Sequence, residues 1–296
     1  WQVVKRGGQA AILEMKPVKM SPAHTMEGLA ELVCSNSLKS ESLENASGVL
    51  KEEVRTLGSL VVKDAEAARV PAGSTLAVDR TAFSAFITAS LIDAGVELIR
   101  GEVIEVPAAR PLVIASGPLT SDAFAASIQA LIGAKSLNFY DAVAPIVCTE
   151  SIDMESAFCA SRYSKGEADY INCPMTKEEY DAFYSELIKA DTARAREFED
   201  MKSFEACMPI EVMAQRGPKT LLFGPMRPVG LTDPHTGKRP FAVVQLRREN
   251  KEGTLYNIVG FQTRLTFGEQ KRIFTMIPAL RKAEFARLGK LHRNSY

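Results

Sequence analysis

No apolar run in these 296 residues approaches the roughly 20 that a membrane-spanning helix needs, and residues 1–20 lack a charged stretch followed by an apolar core and cleavage site. A cytoplasmic protein without membrane attachment is the expectation. The five cysteines (Cys34, Cys148, Cys159, Cys173, Cys207) are odd in number and scattered, with no CxxC pair, which argues against a disulfide framework and a zinc site. His24, His235 and His292 are far apart and none has the i,i+4 spacing of a helical metal pair, so no metal is expected. Seryl-hydrolase (GxSxG), Walker A (GxxxxGK[ST]), kinase and GxGxxG signatures are all missing, as are internal repeats and low-complexity segments.

What is present is an ordinary globular composition, 46% hydrophobic and 24% charged, long enough to bury two cores. Two domains are therefore expected. The formal net charge of zero hides an asymmetry: residues 208–296 hold 16 Lys/Arg against 6 Asp/Glu, leaving 20 against 30 in residues 1–207. A basic last third concentrates positive potential where a polyanion could be held, although Lys/Arg scattered over solvated faces give the same count.

The opening Trp1-Gln2-Val3-Val4-Lys5-Arg6-Gly7-Gly8 reads as a helix end stopped by glycine, and a short apolar strand, Ala10 to Leu13, follows and closes on Glu14. An acidic residue at that place ends the second strand of a dinucleotide-binding βαβ unit, whose Gly-rich turn is expected just upstream; the alternative is a surface carboxylate. Helical apolar spacing covers 45–58 and 80–93, the second capped by Asp79, while Leu98 to Val106 and Pro111 to Ala115 read as strands. After Ser116-Gly117-Pro118 come a helix near 122–133 and a stretch rich in aromatics and prolines, where a domain change is expected. Thr176-Lys177-Glu178-Glu179 is a capping box opening a helix to about Lys189, and a charged helix is expected from Asp191 to Met201. Phe241 to Arg247 and Thr254 to Val259 flank the turn Asn250-Lys251-Glu252-Gly253, a hairpin signal, and helices are expected to end the chain.

Two cysteines stand out. Cys34 is followed by Ser35-Asn36-Ser37, small polar residues able to present N–H and hydroxyl groups to an anion or thiolate; an isolated cysteine is more often a half-buried, inert thiol. Cys207, in Glu205-Ala206-Cys207-Met208-Pro209-Ile210-Glu211, lies between carboxylates that would raise its pKa. At an unperturbed pKa of about 8.5 only about 3% of a thiol is ionised at pH 7, and one unit lower gives roughly a quarter, so a nucleophilic Cys207 needs nearby cations or aligned donors. Cys148, Cys159 and Cys173 read as packing residues. The basic pairs Arg247-Arg248, Lys271-Arg272 and Arg281-Lys282, with Phe261, Phe267, Phe274 and Phe285 interleaved, fit loop or single-stranded RNA, most of these aromatics being expected to face a core.

Several blocks together carry a family resemblance: Glu31-Leu-Val-Cys-Ser-Asn-Ser37, Val78-Asp-Arg80, Asn172-Cys-Pro-Met175, Cys207-Met-Pro-Ile-Glu211, Leu222-Phe-Gly-Pro-Met226, Val244-Gln-Leu246, Tyr256-Asn-Ile-Val-Gly-Phe-Gln-Thr263 and Gly268-Glu-Gln-Lys-Arg272. They resemble the bacterial folate/FAD-dependent tRNA (uracil-5-)-methyltransferases, along nearly the whole chain. The resemblance implies an α/β fold: a glutathione-reductase-like, Rossmann-type FAD-binding domain interrupted by an α+β insertion domain. Residues 1–117 would be the truncated FAD part and 118–296 the insertion domain on the RNA and folate side. The glycine turn before residue 1 and the return to the FAD domain after Asn294 would lie outside the chain, and such a fragment is expected to bind FAD weakly and be inactive.

The resemblance also implies FAD as cofactor, with 5,10-methylenetetrahydrofolate as carbon donor and NAD(P)H as reductant, acting on the T-loop uridine in the T-arm of tRNA. No obligate protein partner is implied. Cys34 and Cys207 match the family's two functional cysteines, Cys207 expected as the uracil nucleophile and Cys34 as a flavin-side thiol. A thiolate adding to uracil C6 makes C5 enolate-like, able to take up the methylene carbon; reduction and elimination then give the methyl product. Glu14, Ser35, Asn36, Ser37 and Gly117 would lie at the cofactor, Gln262 and Arg264 at the folate, and Arg247, Arg248, Lys271, Arg272, Arg281 and Lys282 at the RNA. Alternatives are the same chemistry on ribosomal RNA, a more distant wobble-uridine-modifying flavoprotein, against which the Cys207 block argues, and an RNA-binding fragment without turnover.

Overall fold

The computed structural model describes residues 1–133, 138–164, 167–193 and 208–295. In chain order, the first third contains strands β1 (Ala11–Glu14) and β2 (Ser37–Ser40), helices α1 (Ala46–Thr56) and α2 (Leu60–Ala67), β3 (Arg69–Val70), β4 (Thr75–Val78), α3 (Arg80–Asp93), β5 (Glu97–Arg100) and α4 (Asp122–Ile132). The remainder contains β6 (Asn138–Ala142), β7 (Ile146–Cys148), β8 (Phe158–Cys159), β9 (Tyr170–Met175), α5 (Lys177–Leu187), α6 (Ile210–Gln215), α7 (Thr220–Phe223), β10 (Ala242–Arg248), β11 (Leu255–Ile258), α8 (Phe267–Phe274), β12 (Phe285–Arg287) and β13 (Leu291–Ser295).

In the first part β1 and β5 pair in parallel, Glu14 opposite Arg100, and β2, β4 and β3 form a small antiparallel sheet. Helix α3 begins where Asp79 accepts a hydrogen bond from the Ala82 N–H, satisfying one of the first turn's orphan donors. Its apolar face packs Phe83, Ile87 and Leu91 against Leu29, Leu76, Val78 and Val96. Between β1 and β2 the chain runs for some twenty residues without regular structure, so its backbone groups need other partners.

The second part is built on a six-stranded sheet in the order β12-β7-β11-β10-β9-β8. β10 is a central strand buried on both faces, which is why Ala242 to Leu246 reads as a nearly unbroken apolar run. The β10–β11 hairpin forms as its turn residues dictate, with Gly253 at φ +71°. The capping box at Thr176 and Glu179 opens α5, and Tyr180, Phe183, Phe261 and Phe274 fill the core between sheet and helices. Residues 142–144 and 289–290 bring the paired strands β6 and β13 alongside this sheet.

Three segments differ from expectation. Pro111 to Ala115 forms no strand: Val113 is 85% exposed, and no neighbouring strand pairs with the segment. The strand expected over Leu98 to Val106 stops at Arg100, where its partner β1 also ends. The chain closes on strands after α8, because apolar spacing in so short a stretch does not separate helix from strand. Of the helix expected from Asp191, residues 191–193 are extended, with Thr192 bridging Leu265, and the rest lies outside the described residues. Among the described residues no helix is long and apolar enough to cross a membrane.

Candidate active site

The irregular segment that carries Cys34 is held by one face of α3. Arg80, Ser84 and Thr88 are spaced i, i+4, i+8 and so line one stripe of the helix. The Thr88 hydroxyl accepts from Leu29 N at 2.9 Å, the Ser84 hydroxyl donates to Leu29 O at 2.6 Å, and the Arg80 guanidinium donates to the carbonyls of Leu32 and of Cys34, the latter at 3.3 Å. Gly28 lies so close to this stripe that a Cβ would stand 2.3 Å from Ser84 Oγ, which only glycine avoids.

From the other side the segment is fastened to the β10 end of the second core. Asn36 is fully buried; its amide donates to the carbonyls of Val78 (3.0 Å) and Arg248 (2.9 Å), and its oxygen accepts from Arg247 Nε at 2.9 Å. Arg247 Nη2 reaches Ser35 Oγ at 2.8 Å. Arg80 Nε is ion-paired with Glu249, both side chains under 10% exposed. Lys251 N–H donates to the cap residue Asp79 at 3.2 Å. Burial pushes Glu249 above the ordinary carboxylate range, opposed by Arg80, Arg287 and Arg247, and pushes Arg247 down. Cys34 itself is half-buried, its thiol donating to Ala142 O at 3.9 Å, its carbonyl accepting from Arg80, and the next two side chains, Ser35 and Asn36, held by Arg247.

A second cluster stands at the carboxyl end of β1. Glu14 accepts from Lys16 N at 3.0 Å. Buried Lys16 donates to Gly28 O at 2.7 Å and pairs with Glu31 at 3.4 Å. Burial opposes the charge on Glu31, yet the N–H groups of Thr25 and Met26, the Thr25 hydroxyl and Lys16 together hold its carboxyl below the ordinary value. His24 lies within electrostatic reach of Lys16, Glu31 and Glu14; burial, then Lys16, lower its pKa, and its Nδ1 is buried without a hydrogen-bond partner. A carboxylate closing a parallel strand beside an unsatisfied buried ring nitrogen fits a nucleotide cofactor at this end of the sheet.

The Asn36 side chain spends its amide and its oxygen on Val78, Arg248 and Arg247, as a buried fastening between the two cores. Ser35 accepts from Arg247 and Ser37 N, and Ser37 from Lys39 N, both within the protein. Gly117 sits on an exposed turn at φ +68°. Cys207 lies outside the described residues.

The RNA assignments divide. Arg247 is 7% exposed and committed to Asn36 and Ser35, so it does not present its charge to a phosphate, while Arg248 is half-buried with its Nε covered. Lys271, Arg272, Arg281 and Lys282 are exposed, but Arg272 is ion-paired with Glu186 and Glu269 and raised in pKa by them. Phe261 and Phe274 are core residues, as their spacing suggested, while Phe267 is exposed. Gln262 gives its carbonyl to Ile210 N at 2.8 Å. Arg264 turns its N–H (3.0 Å) and Nε (3.5 Å) to Glu211, whose carboxyl burial pushes up. Among the remaining cysteines Cys173 is a core residue whose thiol burial pushes far up, Cys148 is half-buried and Cys159 is exposed, not packed. Sequence reasoning missed Ser84, Thr88, Glu249 and Arg287; the i, i+4, i+8 polar stripe on an otherwise apolar helix was the available signal.

Residues 1–296 match the family model described as Glucose inhibited division protein A. The same architecture occurs in Aquifex aeolicus GidA, solved in two crystal forms: TM-score 0.66 and 12% identity in form II, covering 99% of this chain and 52% of that one, about half its length. Form I gives TM-score 0.66 at 11% identity, with 55% of that chain covered. The chain belongs to this family, with the α/β fold expected of it, and at that identity the structures speak for the fold alone. Curated relatives narrow the placement. "Methylenetetrahydrofolate–tRNA-(uracil-5-)-methyltransferase TrmFO" of Heliobacterium modesticaldum is 58% identical over 297 residues, spanning all of this chain and 68% of the relative. The proteins of the same name from Geotalea uraniireducens and Geobacter sulfurreducens are 60% and 57% identical over 298 residues, with 68% of each covered. The chain therefore falls in the TrmFO branch of the family.

Proposed function

We propose that this chain takes part in methylenetetrahydrofolate-dependent methylation of uracil C5 in tRNA, at the T-loop uridine, with FAD as cofactor and NAD(P)H as reductant. The observation that carries the reading is the identity with TrmFO relatives, 58% over the whole chain in one instance. The geometry around Cys34 supports it: a half-buried thiol on a loop whose backbone is fixed on both sides suits a residue that must meet a reacting base in one orientation.

In this reading Cys207 adds to uracil C6, and Cys34 receives or protects the adduct on the flavin side. Bound FAD would relay the carbon unit and the reducing electrons. Glu14 would meet the adenosine ribose, with His24 Nδ1 as a second contact, and Arg80, Ser84 and Thr88 would keep Cys34 in register. Residues 1–117 would form the FAD side and 118–296 the RNA and folate side, with Gln262 and Arg264 marking the folate. Lys271, Arg281 and Lys282 would grip tRNA phosphates, Arg272 contributing less because two carboxylates already neutralise it.

The test uses the polypeptide at the length of its relatives, with methylenetetrahydrofolate, NADPH and unmodified tRNA, measuring 5-methyluridine in wild type, Cys34→Ala and Cys207→Ala. The expected result is product in wild type and loss in both variants. Product on ribosomal RNA alone moves the substrate to that RNA; none on either sinks the assignment.

A further inference from the structure

Two of the blocks that carry the family resemblance, Asn172 to Met175 and Val244 to Leu246, put polar residues on the neighbouring strands β9 and β10, where the reading above does not use them. Asn172 is fully buried; its amide donates to the carbonyls of Ala160 (3.0 Å) and Tyr170 (3.1 Å), and its oxygen accepts from Gln245 Nε2 at 2.8 Å. The Gln245 oxygen in turn accepts from Arg162 Nε at 2.9 Å, and Arg162 Nη1 donates to Val229 O at 2.8 Å. A polar chain with each of these groups satisfied thus leads out of the sheet and fixes a half-buried guanidinium in one geometry.

Tyr163, the next residue, is held in a conformation that aromatic side chains rarely adopt, at φ +58° and ψ +24°. Its N–H donates to Gly230 O at 2.8 Å, and Gly230 is itself left-handed at φ +83°. A Cβ at Gly230 would stand 3.0 Å from three carbons of the Tyr163 ring, so the glycine backs one face of the ring, yet the side chain remains 58% exposed. Burial therefore does not account for a ring kept at this strain, which points to a function. The adjoining loop, 227–240, carries charge of one sign outward. It exposes Arg227, Lys238 and Arg239, whereas its single carboxylate, Asp233, is buried and accepts from His235 N at 2.9 Å and the Thr236 hydroxyl at 3.1 Å. The ionisable groups that act on Arg162 are Arg227, Tyr163 and Tyr170, with no carboxylate among them.

We propose that Tyr163 is a stacking platform for an unpaired RNA base, with Arg162 and Arg227 at the flanking phosphates. The inference rests on RNA being the substrate, and names where a loop of that RNA is gripped. Every base has a flat face that can lie on the open side of a tyrosine ring, and guanidiniums not neutralised by carboxylates are suited to phosphate. The Asn172–Gln245 chain holds Arg162, and Arg162 holds Val229, so ring and cations share one rigid support.

The polypeptide at the length of its relatives is titrated by fluorescence anisotropy with unmodified tRNA, with an oligouridylate of about 12 nucleotides and with an RNA duplex of the same length. Tyr163→Asn removes the ring while tolerating a left-handed backbone. It is expected to weaken binding of tRNA and oligouridylate about tenfold, to leave the duplex unaffected because its bases are already stacked, and to melt no lower than wild type. Tyr163→Phe should bind as wild type does, and Arg227→Ala should lower the salt slope of tRNA affinity by about one. Undiminished oligouridylate binding by Tyr163→Asn overturns the platform, as does an equal loss on the duplex, or a lowered melting temperature that would mark the ring as packing. An unchanged salt slope in Arg227→Ala overturns the phosphate contact. Full RNA binding with methylation intact in Tyr163→Asn would sink the platform and leave the proposed reaction standing, whereas ring-dependent RNA binding in a wild-type protein without methyl transfer would do the reverse.

Discussion

Cys34 and Cys173 are the same side chain in two surroundings, and the surroundings decide the chemistry. Cys173 sits on β9 in the larger core, fully buried among apolar groups, where loss of water penalises the thiolate with nothing to offset it. Cys34 sits on an irregular segment at the seam between the two cores, half-buried, with Arg80 on its carbonyl and Arg247 on the side chains of Ser35 and Asn36. The second region pairs its backbone in a six-stranded sheet, so its backbone polar groups are satisfied by neighbouring strands. The segment before Cys34 has no sheet, and its carbonyls are satisfied by charged and hydroxyl side chains from α3 and Lys16. That arrangement brings Arg80 and Arg247 to the residues around the thiol as a consequence of holding the loop.

The largest change should come from breaking the apolar side of this contrast. Phe183→Ala is expected to destabilise the larger core by about 3–5 kcal/mol, seen in urea unfolding, and to make Cys173 reactive at urea concentrations where it is inert in wild type. Unaltered Cys173 protection would mean that the thiol is shielded by something other than that core. On the polar side, Arg80→Met leaves Glu249 buried without its ion-pair partner and should lose about 3 kcal/mol, much of it returned by adding Glu249→Gln. If the double variant is no more stable than the single, the buried ion pair is not what couples the α3 stripe to the hairpin.

The smallest effect is a pH dependence. Burial raises the Glu211 carboxyl above its ordinary 4.5, so the folded state binds its proton more readily than the unfolded one. The stability this contributes is full below 4.5 and is lost as pH rises through the folded value. Glu211→Gln should flatten the decline in unfolding free energy above pH 4.5; an unchanged slope would show that Thr263 and Arg264 fully compensate the burial.

Local chemistry written in neighbouring residues was legible in advance. The Asp79 cap, the Thr176–Glu179 capping box, the hairpin at Gly253 and the core-facing Phe261 and Phe274 all follow from spacing or turn residues, since each depends on partners within a few positions or on one period. The family blocks likewise marked Cys34. What could not be read was where charges end up. Arg247 and Arg248 look in sequence like a solvated basic pair, and Asn36 like a loop residue facing a ligand. Yet Arg247 and Asn36 are 211 positions apart and bonded to each other in the interior. Ser84 and Thr88 matter only because a loop with no strand partner lies across their helix. Periodicity and capping act within one element, whereas burial and electrostatic surroundings are properties of the packed whole. The sequence by itself therefore determined the elements and the candidate thiol, and only the tertiary structure decided which cations hold the loop around that thiol and which remain in water.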